Sequence, residues 1–308
     1  MARTAADTLA SALERLVPGQ VRRNEPLARH VTFRIGGPAD VLVLPRTLAD
    51  LAAVAAWLSA ERERAVVLGR GSNVLVADRG VRGVVVKTGR GQEGLRFDGP
   101  RILAECGVSM PYLARQASLR GLSGLEFAGG VPGSVGGAVV MNAGAHGRCT
   151  ADVVQRVRVV GSSGEAVWPV SELEYAYRES RLQHEAAVVL AAEFLLVPED
   201  PALTLSRLDE WLRHRSDTQP LGPPSSGCVF RNPEGDHAGR LIDQAGAKGL
   251  RVGGAVVSDR HANYILNVDG ATAAEVRELI ARVRERVRER SGVVLETEVK
   301  LLGEFEAA

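Results

Sequence analysis

Lysine is nearly missing from this chain. It stands only at Lys87, Lys248 and Lys300 among 308 residues, and every other basic residue is arginine. The formal net charge is still only +1, so the basic footprint of a nucleic-acid binder is absent. Cysteine is as scarce. Cys106, Cys149 and Cys228 are odd in number and far apart, and no CxxC pair exists. That pattern argues against a disulfide framework and a cysteine zinc site, and it suits a reducing compartment. No spacing of His, Cys and carboxylates forms a metal ligand set. Long apolar runs are lacking too: the strongest, Ala186 to Val197, contains Glu193 and is too short to cross a bilayer. The first residues carry Asp7 and Glu14 with no apolar leader core, so a cytoplasmic protein is expected. No GxxxxGKS/T motif occurs, which argues against a P-loop nucleotide enzyme.

Glycine, by contrast, is abundant, and it concentrates in Gly124 to Gly147, GLEFAGGVPGSVGGAVVMNAGAHG. Glycine permits positive φ and lets a backbone lie directly against a ligand. Successive amides in such turns make concave nests for anions, and Pro132 stiffens the run. The stretch reads either as a rigid cradle for a cofactor or as a pair of tight turns joining core strands. A second small-residue loop, Gly69-Arg70-Gly71-Ser72-Asn73, leaves the strand expected at 65–68. It too reads as a cradle or as a plain turn. Gly89 to Gly94 matches GxGxxG, but a dinucleotide fingerprint must open a helix, and Leu95 to Pro100 reads as strand and turn. It is a decoy.

Other elements follow from pattern. Helices are expected at 3–16, from the Thr47/Asp50 capping box, after Ser109 with Pro111 in the first turn, at 204–215, at 237–245, and from the Thr272/Glu275 capping box. The second of these carries the stripe Leu48, Leu51, Val54, Ala55 and Leu58. Strands are expected at 39–44, 65–68, 84–88, 101–107, 153–160, 165–170, 187–197, 252–257, 262–268 and 293–302. Along 153–160, Val153, Gln155, Val157 and Val159 should share one face. Strands and helices mix without regular alternation, so the class is α+β with more than one subdomain.

Five separated pieces then stand together: LGRGSNVLVAD at 68–78, GGVPGSVGGAVVMNAGAHG at 129–147, AYRES at 176–180, PSSGCVFRNP at 224–233 and LETEVKLLG at 295–303. In this order and spacing the chain resembles the MurB family, the UDP-N-acetylenolpyruvoylglucosamine reductases of peptidoglycan synthesis, in its shorter subtype. The resemblance implies a two-part FAD-binding domain of the vanillyl-alcohol-oxidase-like type plus a separate α+β substrate-binding domain. Residues 1–87 with 297–308 would form the first FAD subdomain, 88–200 the second, and 201–296 the substrate domain. Gly69, Arg70, Gly71, Ser72, Asn73, Val74 and Leu75 would wrap the FAD. So would Gly130, Val131, Pro132, Gly133, Ser134, Gly136, Gly137, Asn142, Ala143, Gly144 and Ala145.

The resemblance also implies the chemistry. NADPH reduces FAD, flavin N5 passes hydride to the enolpyruvyl double bond of the UDP-sugar, and an acid supplies a proton. Arg178 and Glu298 match the positions flanking the substrate carboxylate. The family's usual proton donor is a serine in GS-x-F-K-N-P. Here that position is Cys228, and the usual lysine is Arg231. A thiol, with a reference pKa of about 8.5, donates a proton at least as readily as an alcohol. Ser226 is a rival donor, out of register. Tyr177, Arg215, Asn232, His261 and Asn263 are weaker carry-overs, expected near the substrate. A monomer without metal, nucleic-acid or membrane partners is expected.

Overall fold

The computed structural model describes residues 5–305. They fall into two units, one built from 5–23, 41–70 and 83–215, the other from 24–40, 71–82 and 216–305.

In the first unit the helix Leu48–Ala60 begins where its cap predicts. The Thr47 hydroxyl accepts from the Asp50 amide, and the Asp50 carboxylate accepts from the Thr47 amide. Leu51, Val54, Ala55 and Leu58 are buried and Leu48 is partly so, as their spacing requires. Ala65–Leu68 runs parallel to Val84–Lys87. The main sheet is antiparallel, in the order Gly164–Pro169, Val154–Gly161, Val188–Leu195, Arg101–Glu105, Leu95–Asp98. Its inner face packs Ile102, Ala104, Val157, Val159, Ala192 and Phe194 into one core. One expectation fails here: Gln155 is exposed while Val154 is buried. A register shift between Val154 and Arg156 turns Gln155 out of the alternation. Ser109 precedes the helix Met110–Ser118, but its side chain makes no cap hydrogen bond, and Pro111 sets the first turn instead. Gly89 to Gly94 leads into the strand Leu95–Asp98, so no helix follows the decoy motif.

The glycine-rich stretch does not simply join two strands. Val135–Met141 is a helix with Ser134 as its N-cap and Asn142, at φ 42° and ψ 53°, as its left-handed C-cap. At Gly136 a side chain would press 3.0 Å from Cys106 Cβ, so glycine relieves a tight approach there. At Gly129 a side chain would strike Leu208. The helix beginning at Pro201 starts ahead of its expected position, and Leu208 joins the core.

The second unit has an antiparallel sheet in the order Ser225–Cys228, Tyr264–Asn267, Ala255–Val257, Arg251–Val252. The helix Ala273–Ser291 lies over a core with Val276, Leu279, Ile280, Val283 and Val287 buried. Its Thr272/Glu275 capping box forms as predicted. Asp78, far away in sequence, adds its carboxylate to the amides of Ala273 (2.8 Å) and Ala274 (3.0 Å). An anion on otherwise unpaired amides at a helix start is worth about 1 kcal/mol.

The long terminal strand expected at 293–302 is mostly not a strand. Only Lys300–Leu302 is, and it runs parallel to Val74–Val76. Upstream, the amides of Glu298 and Val299 both point at the Val229 carbonyl (2.7 and 3.3 Å), and Arg231 donates to the Glu296 carbonyl (2.9 Å). Two donors on one acceptor break the ladder. Leu295 and Val299 are buried, but Leu301 is 46% exposed.

Candidate active site

Gly69, which opens one of the two loops that sequence alone leaves open as cradles or turns, meets Ser134 of the other inside the first unit. A side chain at residue 69 would stand 2.7 Å from Ser134 Oγ, so only glycine lets the loops approach. Lys87, at the end of its strand, donates from Nζ to the Gly69 carbonyl. Burial, and then the neighbouring Arg70 guanidinium, lower its pKa to about 8. Arg70 also pairs with Glu93 at 3.5 Å. The meeting point therefore combines two close-approach loops, an ammonium and a guanidinium. This donor set suits a diphosphate.

Not every expected cradle residue offers an amide to a ligand. The amides of Val135 and Gly136 donate to the carbonyls of Val108 (2.8 Å) and Cys106 (2.9 Å), and Gly137 donates to Ser134 Oγ (3.4 Å). Val131 donates to the Ala128 carbonyl, and the Gly133 carbonyl accepts from Met110. Gly144 and Ala145 pair with Cys149 and Arg148 in a short hairpin, and the Ala143 carbonyl accepts from Thr150. Arg215 lies against Gly130, where an added side chain would meet its Cδ at 3.0 Å. Cys106 is buried at the back of the helix. Burial, helped by Glu105, pushes its thiol up to about 12, so it is not a reactive group.

At the other end of the same helix stands Arg178. Ala176 and Glu179 exchange backbone hydrogen bonds (3.2 and 3.1 Å) around Tyr177 and Arg178, and Arg178 has φ 58°. The guanidinium donates to the Gly144 carbonyl at 2.9 Å and lies over the Tyr177 ring, 5.2 Å from its centroid. Asn142 links the turn to the glycine-rich stretch: its Nδ2 donates to the Ala176 carbonyl (2.9 Å) and its Oδ1 accepts from Ala151 (3.0 Å). Thus Arg178, Tyr177, Asn142 and Gly144 form one cluster.

A second cluster forms within the second unit. Cys228 pairs with Tyr264 across an irregular strand pair, just after Gly227 at φ 78°. An added side chain at Gly227 would come 3.9 Å from the Ser72 carbonyl. Glu298 lies on the adjoining segment, its amide bonded to the Val229 carbonyl, while Asn73 Nδ2 donates to the Glu298 carbonyl (3.2 Å). Ser72, Asn73, Cys228 and Glu298 are therefore brought together. Val74 and Leu75 are strand residues behind them. Thr32, which sequence reasoning passes over, donates from Oγ1 to the Ser225 carbonyl (2.7 Å) and from its amide to the Gly71 carbonyl (3.1 Å). It ties the Gly71 loop to the cysteine strand. Ser226 is buried, with no hydrogen-bond partner for its Oγ among the described residues.

The weaker carry-overs are largely engaged in the fold. Asn263 is buried, with Oδ1 and Nδ2 both on the Phe230 backbone (2.9 and 2.8 Å). Asn232 Oδ1 accepts from Ala238 at the start of a helix (3.0 Å). His261 Nδ1 accepts from Asn263 (3.3 Å) and its ring sits edge-on to Tyr264. Burial lowers the His261 pKa. Lys87 is the other residue missed; its rarity in an arginine-dominated chain was the available signal.

Known proteins resemble this chain. Residues 39–168 match the model of an FAD binding domain, and residues 219–302 that of the UDP-N-acetylenolpyruvoylglucosamine reductase C-terminal domain. The UDP-N-acetylenolpyruvoylglucosamine reductase of Bacillus licheniformis is 42% identical over 97% of this chain and 99% of its own length. The chain belongs to the UDP-N-acetylenolpyruvoylglucosamine reductase family. UDP-N-acetylenolpyruvoylglucosamine reductase 2 of Symbiobacterium thermophilum is 47% identical over 93% of both chains. The crystal structure of the reductase (MurB) from Thermus caldophilus superposes with a TM-score of 0.79 at 36% identity, covering 92% of this chain and 98% of that one. In a chain of this family, the meeting of Gly69, Ser134 and Lys87 fits the diphosphate of FAD.

Proposed function

We propose that the protein reduces the enolpyruvyl group of UDP-N-acetylglucosamine enolpyruvate, giving UDP-N-acetylmuramate for peptidoglycan, with FAD as cofactor and NADPH as reductant. The observation that carries this reading is the closure of Gly69 on Ser134 beside Lys87 in a chain 42% identical, over nearly its whole length, to a reductase of this name. When bound, FAD takes two electrons from NADPH and supplies hydride to the substrate double bond. The chain's own residues bind, orient and protonate. Arg178 holds the substrate carboxylate bidentately, where negative charge grows. Glu298 shares that carboxylate, and Cys228 gives its proton to the substrate carbon. The enzyme works as a cytoplasmic monomer. Residues 1–87 with 297–308, and 88–200, serve the cofactor, and 201–296 the sugar nucleotide.

The test is direct. Purified protein should be yellow and should oxidise NADPH only when the enolpyruvyl sugar nucleotide is added. NADPH consumption independent of the sugar nucleotide would point to a different flavin enzyme. A colourless protein that refuses FAD would end the reading altogether.

Lys87 gives a pH prediction. Its ammonium is protonated below about 8, so it attracts the anionic cofactor there. FAD affinity should fall as pH rises through that value. Lys87→Met should bind FAD about 10- to 100-fold more weakly at pH 7, the loss of one charge-assisted hydrogen bond, and should lose the pH dependence. Without cofactor the sign reverses. A depressed lysine pKa means the folded state resists the proton, so this group's contribution to stability rises with pH from about 8 toward the unfolded value. The cofactor-free Lys87→Met protein should therefore melt no lower than its parent at pH 7. FAD fluorescence titration checks the first part; an unchanged Kd with the same pH profile would remove Lys87 from the site.

A further inference from the structure

Arg178 sits in the left-handed region at φ 58°, a conformation that a non-glycine residue keeps only when its surroundings enforce it. Part of the enforcement comes from Gln183. Its Nε2 donates to the Arg178 carbonyl (3.0 Å) and to the Val140 carbonyl (3.1 Å). Val140 lies in the last turn of the helix Val135–Met141, where carbonyls lack intrahelical partners. Ser180 Oγ donates to the same carbonyl at 2.6 Å. One amide thus fastens the Arg178 peptide to the end of the helix whose N-cap, Ser134, faces Gly69.

The same amide leaves its own Oε1 buried without a hydrogen-bond partner among the described residues. An unpaired buried acceptor is unfavourable, so as a mere helix cap this residue is a poor choice. As a double donor it is specific. We propose that Gln183 is a positioning residue for Arg178. It fixes the peptide of the turn, so that the guanidinium, bonded to the Gly144 carbonyl, is aimed where the substrate carboxylate lies. This rests on the reading of Arg178 given above.

The test compares Gln183→Leu, which removes both donors at similar size, with Gln183→Lys, which restores a donor and removes the orphan oxygen. A small misplacement of a positioned group costs up to about 100-fold in rate. Gln183→Leu should lower kcat for sugar-nucleotide reduction by about 10- to 100-fold, and KM should move much less. Flavin reduction by NADPH and FAD content should stay at parental values, and the melting temperature should fall by no more than a few degrees. Gln183→Lys should recover most of the lost kcat. Should leucine prevent folding, Gln183→Met takes its place. Parental kcat in the leucine or methionine variant overturns the proposal. So does a loss that is matched by loss of FAD and melting temperature and is not rescued by lysine. Arg178→Lys, run in the same assay, separates the two levels. If it turns over at the parental rate, the reading of Arg178 itself fails. If it is crippled while Gln183→Leu is not, only the positioning role falls.

Discussion

Cys228→Ala should reduce its flavin with NADPH at the parental rate and then fail to reduce the sugar nucleotide. The first step asks nothing of the thiol; the second needs a proton at the substrate carbon. Positioned acids contribute about 10²- to 10⁴-fold, and a loss in that range is expected for the oxidative half-reaction. Cys228→Ser should retain substantial activity, because the hydroxyl occupies the same backbone position beside Gly227 and Glu298. The setting supports this. Gly227 at φ 78° turns the chain just before the cysteine, and the Val229 carbonyl just after it is held by the Glu298 amide. Stopped-flow measurement of the two half-reactions is the check. Full turnover by the alanine variant would take Cys228 out of the chemistry and return attention to Ser226, whose buried hydroxyl has no partner among the described residues.

Arg178→Lys should cost about 10²- to 10³-fold in kcat/KM for the sugar nucleotide, the usual effect of losing one preorganised electrostatic contact to developing charge. The charge is kept, so charge alone does not explain the loss. Lysine is a point charge with a flexible stem, whereas guanidinium is a planar fork that matches a carboxylate with two parallel hydrogen bonds. Lysine also accepts the same left-handed backbone no better than arginine, so strain is held constant across the comparison. The expected signature is a fall in kcat together with kcat/KM, as when an interaction made chiefly in the transition state is removed. A rise in KM alone would show that Arg178 merely binds the substrate.

Much of the fold could be read from local chemistry. The Thr47/Asp50 and Thr272/Glu275 boxes announce their helices because both partners of each cap lie within four residues. The strand Ala65–Leu68 and the hairpin around Gly161 and Gly164 are equally local. The helix Val135–Met141 was hidden because Gly136 and Gly137 each weaken a helix by about 1 kcal/mol. Its glycines answer instead to Cys106 and to the Ser134 cap. The end of the chain was misread because alternation continues through 295–301, while two amides converge on one Val229 carbonyl. The motifs name the candidate residues, Arg178 in the first unit and Cys228 and Glu298 in the second. The supports around them are long-range and leave no pattern: Thr32 meets Ser225 from 193 residues away, and Gln183 reaches back to Val140.

The chain passes between its units at 23/24, 40/41, 70/71, 82/83 and 215/216. Residues 219–302 form a recognisable evolutionary module, yet expressed by themselves they would lack essential pieces. Lys300–Leu302 would lose Val74–Val76 as a neighbour, and the long helix would lose the Asp78 carboxylate at its start. Attempts to produce residues 219–302 by themselves should therefore yield aggregates, and reporters are better fused to an end of the chain than inserted at one of these crossings.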